Sequence, residues 1–95
     1  MKVRIKFMGM REPLPDFEDR KEVQVDFAGN TVKDLLHYLS ERIGPKQGEI
    51  FVNDRGKISP ILFVCINGNS VSYSDRLNAR LHDDDFIELI FDSGG

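Results

Sequence analysis

The chain ends Asp92-Ser93-Gly94-Gly95, a few positions beyond the apolar run Phe86-Ile87-Glu88-Leu89-Ile90-Phe91. A carboxylate behind two glycines sits on a stem without β-carbons. Such a stem enters narrow channels and takes backbone angles closed to other residues. This suits acyl chemistry performed on the terminus by another protein. Glycine averages about 7% of residues, so a terminal pair alone arises in roughly one chain in 200. Its place directly after a strand-like segment gives it weight.

Other reactive side chains point to less. Cys65, between Val64 and Ile66, reads as a plain buried thiol. His37 and His82 have no Cys or His partner at zinc-ligand spacing. Asp83-Asp84-Asp85 lacks the alternating ligands of a calcium loop and reads as a solvated turn. Arg11-Glu12 reads as a surface pair worth little energy. There is no glycine-rich phosphate loop followed by Lys and Ser/Thr, so no cofactor is expected on this chain and it should not bind ATP itself.

With 95 residues, one domain is expected, and 31% charged with 40% apolar residues fits a globular protein. A net charge of −3 without a basic cluster argues against nucleic acid and suits a partner with a basic groove. The single cysteine precludes an internal disulfide. Neither a signal segment nor an apolar stretch of about 20 residues is visible. A cytoplasmic location and no membrane partner are the expectations.

Positioning the terminus falls to elements with clear periods. Val3, Ile5 and Phe7 alternate with Arg4 and Lys6, and Val23, Val25 and Phe27 with Glu22, Gln24 and Asp26, predicting two antiparallel strands. The polar, proline-containing segment 9–20 between them reads as a loop that is mobile or serves contact. Thr31 with Asp34 forms a capping-box start, and Val32, Leu35, Leu36, Leu39 and Ile43 mark one helical stripe. Gly44 and Pro45 stop it. A short strand at 50–52 and a turn at 53–56 come next. The run Ile61 to Ile66 predicts a buried strand, Asn67-Gly68 a type I′ turn, and Val71 to Tyr73 a short edge strand. Leu77 and Leu81 read as core anchors in an irregular segment. The last strand, Phe86 to Phe91, follows the acidic turn. This order describes an α+β, β-grasp mixed sheet with one main helix across one face and a right-handed crossover.

At these residues the sequence resembles the ubiquitin-like sulfur carriers of the MoaD/ThiS type. That group includes the small subunit of molybdopterin synthase, the thiamine-pathway carrier and the ubiquitin-related modifier. The likeness rests on Val3 to Glu12, on Phe63-Val64-Cys65-Ile66-Asn67-Gly68, on Leu81 to Ile87, and on Gly94-Gly95. It spans essentially the whole chain, a single carrier domain over 1–95 with 92–95 as a flexible tail. Asp84 stands where the family often has glycine, the Pro-Pro pair before the tail is absent, and the tail is about one residue (roughly 3.5 Å) shorter.

The resemblance implies a co-substrate and not an enzyme. An E1-like partner would adenylate Gly95 with ATP and Mg²⁺, and sulfur from a donor such as a cysteine desulfurase would make a thiocarboxylate. A synthase subunit would take the sulfur for molybdopterin, thiamine or tRNA. In the last strand, Phe86, Glu88 and Ile90 point away from the helix if Ile87, Leu89 and Phe91 face it. With Leu62 or Val64 from the neighbouring strand they form an expected partner-binding face beside Asp92 and Ser93. Two alternatives stand beside the carrier: a modifier joined to lysines through Gly95, and a non-covalent β-grasp interaction module.

Overall fold

Alternation in the first strand puts Val3, Ile5 and Phe7 on one side, and all three are buried. A computed structural model describes residues 1–9, 17–43, 51 and 62–91, with Tyr73 described by its backbone alone. Strand β1 (Lys2–Met8) pairs antiparallel with β2 (Glu22–Asp26), and α1 (Val32–Ile43) follows. Then come β3 (Leu62–Ile66), β4 (Asn69–Ser70), a 3-10 turn over Tyr73–Asp75 and β5 (Phe86–Phe91). The sheet order is β2-β1-β5-β3-β4, with β5 parallel to β1 and antiparallel to β3. A mixed sheet with its first and last strands side by side, and one helix packed on one face, is the expected β-grasp.

The helix begins where the capping box predicts. Asp34 accepts from the Thr31 amide at 3.2 Å, and the Thr31 hydroxyl accepts from the Asp34 amide at 3.2 Å. Two further amides of the first turn, Val32 and Lys33, donate to the carbonyls of Ala79 and Leu77 at 3.0 and 3.1 Å. The irregular segment around Leu77 and Leu81 thus satisfies helix donors that would otherwise lack partners. Val32, Leu35, Leu36, Leu39 and Ile43 are the buried residues of α1. They meet Val3, Ile5, Val25, Leu62, Val64, Ile87 and Leu89 in one core. Each such side chain contributes about 1.5–3 kcal/mol on burial.

Two local expectations need correction. The edge strand is Asn69–Ser70, not Val71 to Tyr73. The two-residue turn has φ of 52° at Asn67 and 84° at Gly68, so pairing resumes at once, with Ile66 opposite Asn69. After the Val71 amide bonds the Val64 carbonyl, the chain coils into the 3-10 turn, where Ser72 donates to Asp75 at 2.8 Å. The end of the loop after β1 is also not free. Phe17 is buried, Asp19 bridges to Phe7, and the Arg20 amide bonds the Phe7 carbonyl at 2.6 Å. Phe51 is fully buried. Arg11-Glu12, Gly44-Pro45, the rest of the strand expected at 50–52 and the turn at 53–56 lie outside the described residues.

Candidate functional site

Phe91 is the last described residue, four positions before Gly95. Its ring stacks on Phe7 at 6.2 Å and meets Phe51 at 5.9 Å. Phe17 packs edge-on against Phe7 at 5.2 Å, and the Arg42 guanidinium lies 5.9 Å from the Phe17 ring. Each such aromatic pair adds about 0.5–1.5 kcal/mol beyond area burial. On the β3 side Phe91 pairs with Leu62. The strand that leads to Asp92, Ser93, Gly94 and Gly95 therefore ends on a fixed residue. Those four lie outside the described residues.

The other end of β5 is tied by the acidic turn. The Lys2 amide donates to the Asp83 carboxylate at 3.1 Å, and the Asp84 amide to the Lys2 carbonyl at 2.8 Å. Asp85 accepts from the Asn67 side chain at 2.9 Å and from the His82 amide at 2.8 Å. Burial pushes the Asp85 carboxyl up, but these donors outweigh it and hold it below the ordinary carboxylate range. The turn is a clip that sets β5 alongside β1. Among the described residues, no group of three His, Cys, Asp or Glu is placed to hold a metal ion.

Register defines the face away from the helix. Met8, Ile90 and Phe63 form one row across three strands, Lys6, Glu88 and Cys65 a second, and Arg4 with Phe86 a third. All but the exposed Arg4 are half-buried. Phe86 and Ile90 thus stand on the face predicted for them. Leu62 and Val64 do not: both are fully buried and point at the helix. The continuous apolar run of β3 left two alternations open, and pairing of Val64 with the core residue Leu89 selects the inward one. Phe63 and Cys65 take the outer positions instead.

Two arginines complete the face. The Arg4 guanidinium lies 5.4 Å from the Phe86 ring, donates to the Asp84 carbonyl at 3.2 Å, and pairs with Glu22 at 3.6 Å. Arg76 lies 4.7 Å over Phe63 and donates to the carbonyls of Val71 and Leu62 at 3.1 and 3.3 Å. No periodicity marks Arg76 in the sequence, and its role emerges only from the packing of its segment. The result is an apolar row of Met8, Ile90 and Phe63 next to Phe91, separated from Phe86 by the Lys6–Glu88–Cys65 row, with guanidinium groups stacked on Phe63 and Phe86.

Comparison with known proteins decides the family. The family model for Urm1 (ubiquitin related modifier) matches residues 2–94. The chain belongs to the Urm1 family. An Archaeoglobus fulgidus relative, provisionally named a sulfur carrier protein, is 25% identical over 83 residues, which is 87% of this chain and 93% of that protein. SAMP1 from Haloferax volcanii superposes with a TM-score of 0.73 at 22% identity, covering 100% of this chain and 99% of that one. Urm1 from Trypanosoma brucei gives 0.72 at 21%, covering 99% and 94%. One chain of the complex of subunits 1 and 2 of the molybdopterin-converting factor from Helicobacter pylori gives 0.57 at 22%, covering 100% of this chain and 99% of that one. At these identities the structures speak for the ubiquitin-like β-grasp fold. Among the described residues, no helix is long and apolar enough to cross a membrane.

Proposed function

We propose that this Urm1-family chain is a sulfur carrier whose working group is the carboxylate of Gly95. The observation that carries the reading is the family match over residues 2–94, with Gly94 and Gly95 three and four residues beyond the anchored Phe91. An E1-like enzyme docks on the strip of Met8, Phe63, Phe86 and Ile90 and takes up the stem, with Asp92 and Ser93 as its first residues. A Gly95 carboxylate oxygen attacks the α-phosphorus of ATP held with Mg²⁺ by that enzyme, and pyrophosphate leaves. The terminal sulfur of a donor persulfide, supplied by a cysteine desulfurase, then attacks the acyl carbon and AMP leaves. A second thiolate cleaves the new S–S bond, leaving a thiocarboxylate on Gly95 and a disulfide that a thiol reductant resets. The chain supplies a positioned acyl terminus, and the partner supplies nucleotide and metal. A synthase subunit is the receiving partner, a reading supported by the solved complex of the Helicobacter pylori factor.

The family description favours one second reading, conjugation of Gly95 to lysines of other proteins. Intact-mass measurement with the E1-like enzyme, ATP and a persulfide donor separates the two. Wild type gains the mass of one oxygen-to-sulfur exchange, while a chain lacking Gly95, or carrying Gly94→Leu, gains nothing and melts at the same temperature. Normal loading of the chain lacking Gly95 would overturn the carrier chemistry assigned to that residue. Wild type that never loads but appears on lysines makes the chain a modifier.

A further inference from the structure

Gly9 follows β1 directly and has φ of +84°. A β-carbon built on it would overlap the Phe91 carbonyl oxygen, and would lie 3.5 and 3.7 Å from the Phe91 carbonyl carbon and amide nitrogen. Backbone therefore meets backbone at the last residue of β5, with no flexible side chain to absorb an added atom. Gly68 is an internal contrast: its φ is also +84°, yet nothing lies within 4 Å of the equivalent β-carbon. Both glycines relieve the same torsional cost. Only Gly9 makes room for Phe91.

We infer that Gly9 is a positioning residue for the terminal carboxylate, setting the direction in which the stem leaves β5. This rests on the proposed adenylation of Gly95. Leu62 holds Phe91 on the β3 side, and Phe7 and Phe51 hold its ring. The remaining freedom of its carbonyl is limited by Gly9. A β-carbon at position 9 can be accommodated only if the Phe91 carbonyl or the backbone of residue 9 shifts. Four residues of stem, at about 3.5 Å each, leave little slack to correct the error at an attack distance of roughly 3 Å. The three nearest atoms met by the added β-carbon, its chain neighbours aside, all belong to Phe91 and none to Phe63, Phe86 or Ile90. The defect should fall on the chemical step and spare docking.

ATP–pyrophosphate exchange by the E1-like enzyme, with this chain as the varied substrate, tests the assignment. Gly68→Ala is the control for torsional strain. Gly9→Ala is expected to fold, to leave the KM for the chain within about twofold of Gly68→Ala, and to lower kcat about tenfold. Inserting one glycine after Ser93 restores the lost kcat. Asn tolerates positive φ, so Gly9→Asn keeps the overlap with less strain and carries the test if Gly9→Ala does not fold. A kcat equal to that of Gly68→Ala, a loss confined to KM, or no recovery on glycine insertion overturns the role of Gly9. So does failure of both Gly9 variants to fold, which makes the residue a requirement of the core alone. Exchange absent with wild type instead removes the proposed adenylation and is read separately.

Discussion

The Arg76 guanidinium lies 4.7 Å over the ring of Phe63 while donating to the Leu62 carbonyl from a side chain only 6% exposed. One cation thus pins the segment after β4 to the first residues of β3 and caps an aromatic ring of the open face. Hydrogen bonds from a charged donor contribute about 1.5–3 kcal/mol, and a desolvated cation–π contact about 2. Arg76→Ala is therefore expected to lower stability by about 2–4 kcal/mol in urea unfolding. Arg76→Lys should recover less than half, because an ammonium lacks the planar fork. A loss below 0.5 kcal/mol (about the effect of an ordinary surface change) would show that the contact is decorative.

Asp84 holds a backbone conformation that suits glycine better than a residue with a β-carbon. Its φ is +68°, a left-handed conformation that costs a residue with a β-carbon about 1–2 kcal/mol. Asp84→Gly removes that cost but loosens the unfolded chain by about 0.4–1 kcal/mol. A net gain of about 0.5–1 kcal/mol is expected, seen as a higher urea midpoint with an unchanged slope. Asp84→Val should lose about 1–2 kcal/mol because a β-branched residue resists this conformation. Equal stability of the two variants would remove backbone strain as the reason.

What was legible in the sequence follows from how strongly local chemistry constrains each element. The helix was readable because Thr31 and Asp34 bracket its start and five apolar residues repeat at helical spacing. β1 was readable because alternation names its faces, whereas in β5 Glu88 alone interrupts the apolar run and hints at the outer side. β3 was not, since Leu62-Phe63-Val64-Cys65-Ile66 is apolar throughout and only pairing with Leu89 and Ile87 separates inside from outside. Arg76 was missed for a related reason: a lone arginine in an irregular segment carries no period, and its burial depends on carbonyls from other strands. Phe17 was hidden the same way in a polar loop. Gly9 requires the packed end of β5 to be seen at all.

Asp34 gives the helix start a pH dependence. The Asn30 amide, at 3.0 Å, is the chief cause that holds its carboxyl below the ordinary 3.8, with the Thr31 hydroxyl and amide adding to it. A depressed folded-state value stabilises the protein above the unfolded value, and this share is lost as pH falls through the folded value. Asp34→Ala is expected to cost about 1 kcal/mol at pH 6. The gap between wild type and variant should narrow as pH falls from 6 towards 3. Parallel stability curves over that range would show that the carboxylate charge contributes nothing there.

Ile90 and Val64 sit on adjacent strands but on opposite faces of the sheet, which makes them a paired test of the docking strip. Ile90 is half-buried between Met8 and Phe63, whereas Val64 is fully buried against the helix. Val64→Asp places a carboxylate in the core without a partner and should abolish cooperative unfolding at neutral pH. Ile90→Asp leaves its carboxylate at the surface, so its circular dichroism melt should stay within a few degrees of wild type. Its binding to the E1-like enzyme should nonetheless weaken about 30-fold, the loss of roughly 2 kcal/mol typical of an interface anchor. A fluorescence titration against the enzyme reads that change directly. Unchanged binding by a folded Ile90→Asp would move the docking surface elsewhere. Unfolding of Ile90→Asp would instead show that the Met8–Ile90–Phe63 row serves the stability of the sheet and not recognition.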